Sequence, residues 1–228
     1  MFNKLFYKKR EAKIINVEKI SSNLLKIDFK TDFFEYIPGQ YIILYIEGVV
    51  ARNYSIYEVS LNKTVFSIIV NINGDGIGRR SIKEFNINKE IFFAGPMGDF
   101  IYNNNEVTHK NWFIATGSGI SPFIPMIKNI KDKKDIILFL GARDKNEFPQ
   151  INIEGINIIY SITNKDTLWN GERGRINRVM IEYLENEKEK EDISFYICGA
   201  PHMVMDTKKL LEACNINKDK IYYEKFGF

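Results

Sequence analysis

Near residue 105 the spacing of apolar residues changes, and that change limits what the chain can fold into. Before it, residues 12 to 19, 24 to 30, 40 to 46, 65 to 70 and 91 to 93 read as short strands, with a β-rich run ending at Arg52-Asn53-Tyr54-Ser55. Leu25, Ile27 and Phe29 alternate with polar neighbours, as a half-buried strand requires. Pro38-Gly39, Asn73 through Gly78, and Gly95-Pro96-Met97-Gly98 supply the turns. Such a series predicts a small antiparallel β-barrel. Asn103-Asn104-Asn105, followed by Thr108-His109-Lys110, reads as a polar linker. After it, strands are expected at 112 to 116, 136 to 140, 156 to 162, 194 to 198 and 221 to 224. Helices are expected at 121 to 130, 176 to 186 and 202 to 213, with Ser121 as an N-cap before Pro122 and with Pro201 opening the last. That alternation predicts an α/β, doubly wound parallel sheet. The expected division is therefore a barrel over 1–104 and a sheet domain over 105–228. The charge run Lys188 to Asp192 reads as a solvated helix end.

The 228 residues are ample for two small cores. A net charge of +3 is close to neutral for this length and gives no reason to invoke nucleic acid. Cys198 and Cys214 cannot build a metal cluster site by themselves, so no metal is expected, and their small number suits a reducing compartment. The segment Met1 to Leu5 lacks a signal-peptide run, and no window approaches the roughly 20 apolar residues of a membrane span. The expectation is a cytoplasmic protein.

Three stretches carry chemistry. Arg52, Tyr54 and Ser55 bring a forked positive charge, a flat face with a hydroxyl, and a small donor into one short segment. Those properties suit a flavin; a surface arginine beside an edge-strand tyrosine is the plainer alternative. Ala115-Thr116-Gly117-Ser118-Gly119-Ile120-Ser121-Pro122 follows the first strand of the second half, where glycines permit a tight turn and close approach to a pyrophosphate. Pro122 stands where the usual dinucleotide fingerprint has its third glycine, so this is a variant of that motif. Cys198-Gly199-Ala200-Pro201 repeats the strand–glycine–helix pattern, and a reversal of sheet order between the first and fourth strands would set both turns at one crevice. A buried structural cysteine is the alternative for Cys198. Tyr222, Tyr223, Phe226 and Phe228 must pack on something, either their own sheet or the flavin crevice.

These pieces together resemble the ferredoxin–NADP(+) reductase superfamily, the group of FAD-binding FR-type oxidoreductases, over nearly the whole chain. The resemblance rests on Pro38-Gly39-Gln40-Tyr41, Arg52-x-Tyr54-Ser55, Gly95-Pro96-x-Gly98-x-Phe100, Thr116-Gly117-x-Gly119-Ile120-x-Pro122, Gly141-Ala142-Arg143, Cys198-Gly199-x-Pro201 and Glu224-x-Phe226, in the family's order. It implies an FAD-binding barrel followed by an NAD(P)-binding domain, with NADPH or NADH as the donor; FMN stays open as the alternative to FAD, since the adenine site is not legible in the sequence. It further implies that Arg52 holds flavin phosphate, that Tyr54 stacks near the ring with Asn53 beside it, and that Ser55 sits near N5. Phe226 takes the place of the terminal aromatic beside the flavin, and Glu224 that of the C-terminal glutamate near hydride transfer. Thr116, Gly117, Ser118, Gly119 and Pro122 would cradle the nicotinamide nucleotide, with Cys198 and Gly199 near its ring. Arg143, Thr163, Arg173 and Arg175 would line the rest of that nucleotide.

The chain departs from the family at Gly78-Arg79-Arg80-Ser81, where relatives place Thr or Ser at the position of Arg79; Ser81, or the two arginines, would serve the pyrophosphate instead. NADPH-using relatives often place arginine at Asn164, although Lys165 and Arg175 remain as partners for a 2′-phosphate. The implied activity is hydride transfer from NAD(P)H to flavin and onward transfer to an acceptor such as ferredoxin or flavodoxin. A flavin-containing electron-transfer subunit of a larger redox complex is the alternative, and a binding module that has lost its flavin a third. The basic stretch Lys4, Lys8, Lys9, Arg10 would either steer an acidic carrier or be a solvated terminus.

Overall fold

In a computed structural model, residues 8–46, 51–102, 110–151 and 153–226 are described. Lys4, the linker residues Asn103 to Asn105, Thr108, His109, Gly227 and Phe228 therefore lie outside the described residues. The chain divides into two compact units, Met1–Ile101 and Tyr102–Phe228.

In the first unit β1 (Arg10–Lys19), β2 (Leu24–Lys30), β3 (Tyr41–Tyr45), β4 (Arg52–Val59), β5 (Val65–Asn71) and β6 (Glu90–Met97) close into a barrel, ordered β1-β2-β5-β4-β3-β6. Every pairing is antiparallel. The alternation expected of β2 is present: Ile27 and Phe29 are buried, Lys26 and Asp28 partly exposed, and Leu25 lies half-buried against the core. Phe66 is the centre of that core, with the rings of Phe29, Phe34 and Phe93 at 5.0, 4.7 and 5.0 Å. Each such side chain contributes about 2–3 kcal/mol by leaving water.

One expectation is corrected here. Asn73 to Gly78 is not all turn, because a helix, α1, covers Ile77–Lys83. It sets Ile82 into the barrel core, and Phe85 follows it there. Seven residues with one buried position carry too little periodicity to be read as a helix.

The second unit is a six-stranded sheet, ordered β10-β9-β8-β7-β11-β12. The strands are β7 (Lys110–Thr116), β8 (Ile136–Ala142), β9 (Asn157–Ile162), β10 (Glu172–Arg173), β11 (Ile193–Gly199) and β12 (Ile221–Lys225). All pairings are parallel. β7 and β11 are continuous apolar runs because both faces of the sheet are covered. Trp112 and Ile114 face a core shared with α3 (Ile176–Glu185) and α4 (Pro201–Ala213). Phe113, on the opposite side of the same strand, meets Phe123 of α2 (Phe123–Asn129) at 5.1 Å and stacks on Tyr196 at 5.0 Å.

Pro201 opens α4 as expected, but Ser121 does not cap α2. A 3-10 turn over Gly117–Ile120 already carries the chain into helical conformation, so Pro122 takes the cap position and the Ser121 hydroxyl is left buried without a hydrogen-bond partner. The short β10 was not foreseen; two residues carry no alternation. Tyr222 does pack on its own sheet, stacked on Tyr196 at 4.8 Å. Among the described residues no helix is long and apolar enough to cross a membrane.

Candidate functional site

Within the barrel, three of the sequence motifs meet at Tyr41. Gly39 adopts φ +106°, and the turn it makes lets Gln40 N donate to Ile37 O at 3.0 Å while Gln40 Oε1 accepts from Ile37 N at 2.9 Å. Gln40 O then accepts from Ile56 N at 2.9 Å, which fixes the register that sets Tyr41 opposite Ser55. Gly98, at φ +104°, lies against the Tyr41 ring so closely that a Cβ there would stand 2.9 Å from two ring carbons. Ser55 is 3% exposed.

The first residues of β4 lead from this wall to a cationic cluster. Arg52 and Asn53 are exposed, and Tyr54 is half-buried. Burial pushes the Tyr54 phenol up to about 12, against the opposing pull of the Arg52 and Arg79 guanidinium charges. Its hydroxyl is therefore a proton donor throughout the neutral range. Gly78 brings α1 alongside the Arg52 stem, and the Arg79 guanidinium folds over the loop, 3.3 Å from where a Cβ on Gly74 would lie. Arg80 is exposed beside it. Ser81 donates its hydroxyl to Ile77 O at 3.1 Å within its own helix. Arg52, Arg79 and Arg80 with an open glycine loop fit the phosphates of a flavin dinucleotide, and the protonated Tyr54 face fits its ring.

In the second unit the sheet order reverses between β7 and β11, and the two glycine turns follow those two strands. They touch. A Cβ on Gly119 would lie 2.3 Å from Cys198 O, and one on Gly199 would lie 2.5 Å from Thr116 Oγ1. Gly199 also adopts φ +143°, so it needs glycine for backbone as well as space, and Gly117 adopts φ +55°. Thr116 Oγ1 is buried and lacks a hydrogen-bond partner. An orphaned hydroxyl over a side-chain-free cradle fits a bound dinucleotide better than it fits mere packing. Ser118 is half-buried, Pro122 buried.

Across the sheet Ala115, Cys198 and Glu224 stand in register on neighbouring strands, and Phe226 N donates to Gly199 O at 2.8 Å. The Cys198 thiol is fully buried; burial first, and then the Glu224 carboxylate, push it well above its ordinary value, with only the Gly199 backbone opposing. It is a neutral thiol packed under the turn, and no nucleophile.

Farther out along the strand ends, Arg143, Thr163 and Arg175 are exposed. Arg173, expected to line the nucleotide, is exposed, and its Nη2 donates to Asp166 O at 2.6 Å and Trp169 O at 3.0 Å, stapling the loop before β10. The sequence reading overlooked Asp144, which caps the 3-10 turn Lys145–Glu147 and accepts from the Asn164 amide. An acid just past the second strand of a dinucleotide sheet was the available signal. It also overlooked the way Tyr41 and Gly98 fit together, which only a barrel closing through β3–β6 pairing reveals.

Comparison with known proteins agrees with this geometry. The model described as oxidoreductase FAD-binding domain matches residues 11–102, and that described as oxidoreductase NAD-binding domain matches 113–209. The F component of the Na(+)-translocating NADH-quinone reductase of Histophilus somni is 29% identical over 153 residues, which cover 60% of this chain and 37% of that protein. The chain thus spans well under half the length of the curated relatives it matches. Among solved structures, the ferredoxin reductase in carbazole 1,9a-dioxygenase superposes with a TM-score of 0.85 at 21% identity, over 99% of this chain and 71% of that one. A Neisseria gonorrhoeae ferredoxin NADP+ reductase with bound FAD and NADP gives 0.80 at 19% identity, over 96% and 98%. A six-stranded antiparallel barrel matched by an FAD-binding model, then a six-stranded parallel sheet of order 4-3-2-1-5-6 matched by an NAD-binding model, leave one conclusion: the chain belongs to the ferredoxin–NADP(+) reductase superfamily.

Proposed function

We propose that this chain is an NAD(P)H-dependent flavoprotein reductase, with residues 1–104 holding FAD and 105–228 holding the nicotinamide nucleotide. When bound, FAD supplies the redox chemistry, taking a hydride from reduced nicotinamide and releasing electrons to an acceptor. The chain's own residues bind and orient. Arg52, Arg79 and Arg80 neutralise flavin phosphate, Tyr54 offers its face and a protonated hydroxyl, and the Ser55 hydroxyl donates to flavin N5. Thr116 Oγ1 donates to the dinucleotide lying over Gly117, Gly119 and Gly199. Cys198 positions that turn from beneath, and Glu224 holds charge beside it. The observation that carries this reading is the contact between the two glycine turns at the sheet's point of reversal, with a buried hydroxyl left unpaired there.

Anaerobic titration of the purified protein with NADH and NADPH, with the released flavin identified, tests it. Bleaching of a yellow protein is expected; a colourless protein that stays colourless with added FAD would overturn it. Ferredoxin or flavodoxin is the acceptor class in this reading, and a cytoplasmic setting accords with two cysteines that both stand free. A second reading has some support, because the quinone reductase relative is one component of a multi-subunit enzyme by its name. A flavin-containing subunit of a larger complex would copurify with a partner and reduce only artificial acceptors by itself.

A further inference from the structure

We propose that one end of the barrel is the face by which this chain pairs with a second copy of itself. Leu61 of each copy enters a cleft on the other, and Glu35 of each meets Lys63 of the other. The face lies wholly in the first unit and uses none of the side chains assigned above to flavin or nucleotide.

Two connections lie side by side there: residues 31–40 between β2 and β3, and the hairpin 60–64 between β4 and β5. Thr31 N donates to Thr64 O at 2.9 Å, and Phe34 N donates to Lys63 O at 2.7 Å. Between them opens a cleft of about 480 Å³ whose apolar lining includes Phe34, Tyr36, Ile37 and Val59. Phe33 is 60% exposed, Ile37 52%, and Leu61, on the hairpin, 104%. Three large apolar side chains gathered at one cleft differ from apolar residues scattered singly, and such a patch marks an interaction surface. The backbone under it is fixed. Arg10 Nη2 donates to Phe33 O at 2.7 Å, and Ser60 Oγ accepts from Val65 N at 3.0 Å while donating to Asn62 Oδ1 at 2.7 Å. Ordered turns therefore hold these side chains out, and little backbone freedom is left to lose on association.

Charge decides the occupant. Among the described residues lining the cleft two are charged, Glu35 and Lys63, and they pair with each other while staying 63% and 43% exposed. Lys63 Nζ also lies 5.3 Å from the centroid of the Phe33 ring. Lys63 keeps this place at φ +55°, a conformation that glycine adopts with less strain. One acid beside one base makes no field of a single sign, so the cleft has nothing to draw a strongly acidic or basic carrier. It does match itself. About a two-fold axis the two pairs form a ring of four alternating charges, and each protruding Leu61 meets the other copy's cleft. Nine residues line the cleft, fewer than the roughly 20 a side of a standard interface, so the pairing is weak and reversible.

Sedimentation equilibrium of the flavin-loaded full chain, from about 1 to 500 µM, tests the proposal. A monomer–dimer equilibrium is expected, with a dissociation constant in roughly the micromolar range. Leu61→Asp should weaken it at least about tenfold. Glu35→Lys and Lys63→Glu should each weaken it about tenfold, because each gathers four like charges at the axis. An equimolar mixture of those two variants should form mixed dimers at about the original affinity or tighter, since every charge contact between copies is then attractive. Melting temperatures of the dilute proteins should stay nearly level. A monomer throughout the range overturns the proposal. So does a dimer that Leu61→Asp leaves unmoved, or a mixture no tighter than its two components. A monomer whose melting temperature falls in Leu61→Asp would show the cleft filled by its own chain, and likewise overturns it.

Discussion

Single atoms decide a good deal in this chain. A methyl group at Gly119 would lie 2.3 Å from a backbone carbonyl that cannot swing away. Gly119→Ala should therefore cost about 2–4 kcal/mol in chemical denaturation, far more than Gly76→Ala, where the nearest atom is 3.8 Å off at the end of a flexible arginine. The two cysteines should part in the same way. Cys198 is fully buried with a raised pKa and Cys214 is half-buried, so dithiobis(nitrobenzoate) should titrate one thiol in the native protein and both after unfolding. Tyr54 gives a pH signature. Its folded value of about 12 exceeds the 10.0 of an exposed phenol, so the unfolded chain releases the proton first as pH rises. Stability is full below about 10 and falls by roughly 2–3 kcal/mol on the way to 12. Tyr54→Phe should flatten that fall, read as urea midpoints at pH 9 and pH 11, leaving the similar contribution of Tyr36 in place.

At the scale of elements, the legible parts are those where one residue has one physical reason. Glycines at positive φ, proline opening α4 and the unbroken apolar runs of β7 and β11 are all visible in the sequence, because local backbone and burial alone require them. What was hidden depends on partners distant in the chain. The loop carbonyls that Arg173 staples come next to it only once the chain is folded. α1 is invisible because its single buried residue, Ile82, is specified by the barrel core it joins. That helix and the start of β4 bring Arg52 and Arg79 to one tyrosine, and each arginine is expected to matter for flavin retention. Arg52→Ala should weaken FAD binding about tenfold or more, measured by fluorescence on release, with the barrel's melting temperature little altered.

At the scale of the molecule, each unit buries its own core. The barrel centres on Phe66 and its neighbours; the sheet packs Trp112, Phe139 and Phe195 under α3 and α4. A fragment of residues 102–228 should accordingly melt cooperatively in calorimetry and retain NAD+ binding in the absence of flavin.

The contact between Gly119 and the Cys198 carbonyl joins residues that leave the ribosome far apart in time. A nascent chain that has made β7, β8 and α3 owns a glycine loop with no floor beneath it. Nucleotide in the cell can steady this protein only after β11 has emerged and slid in beside β7, so the ligand protects the finished sheet and gives no help to the one being built.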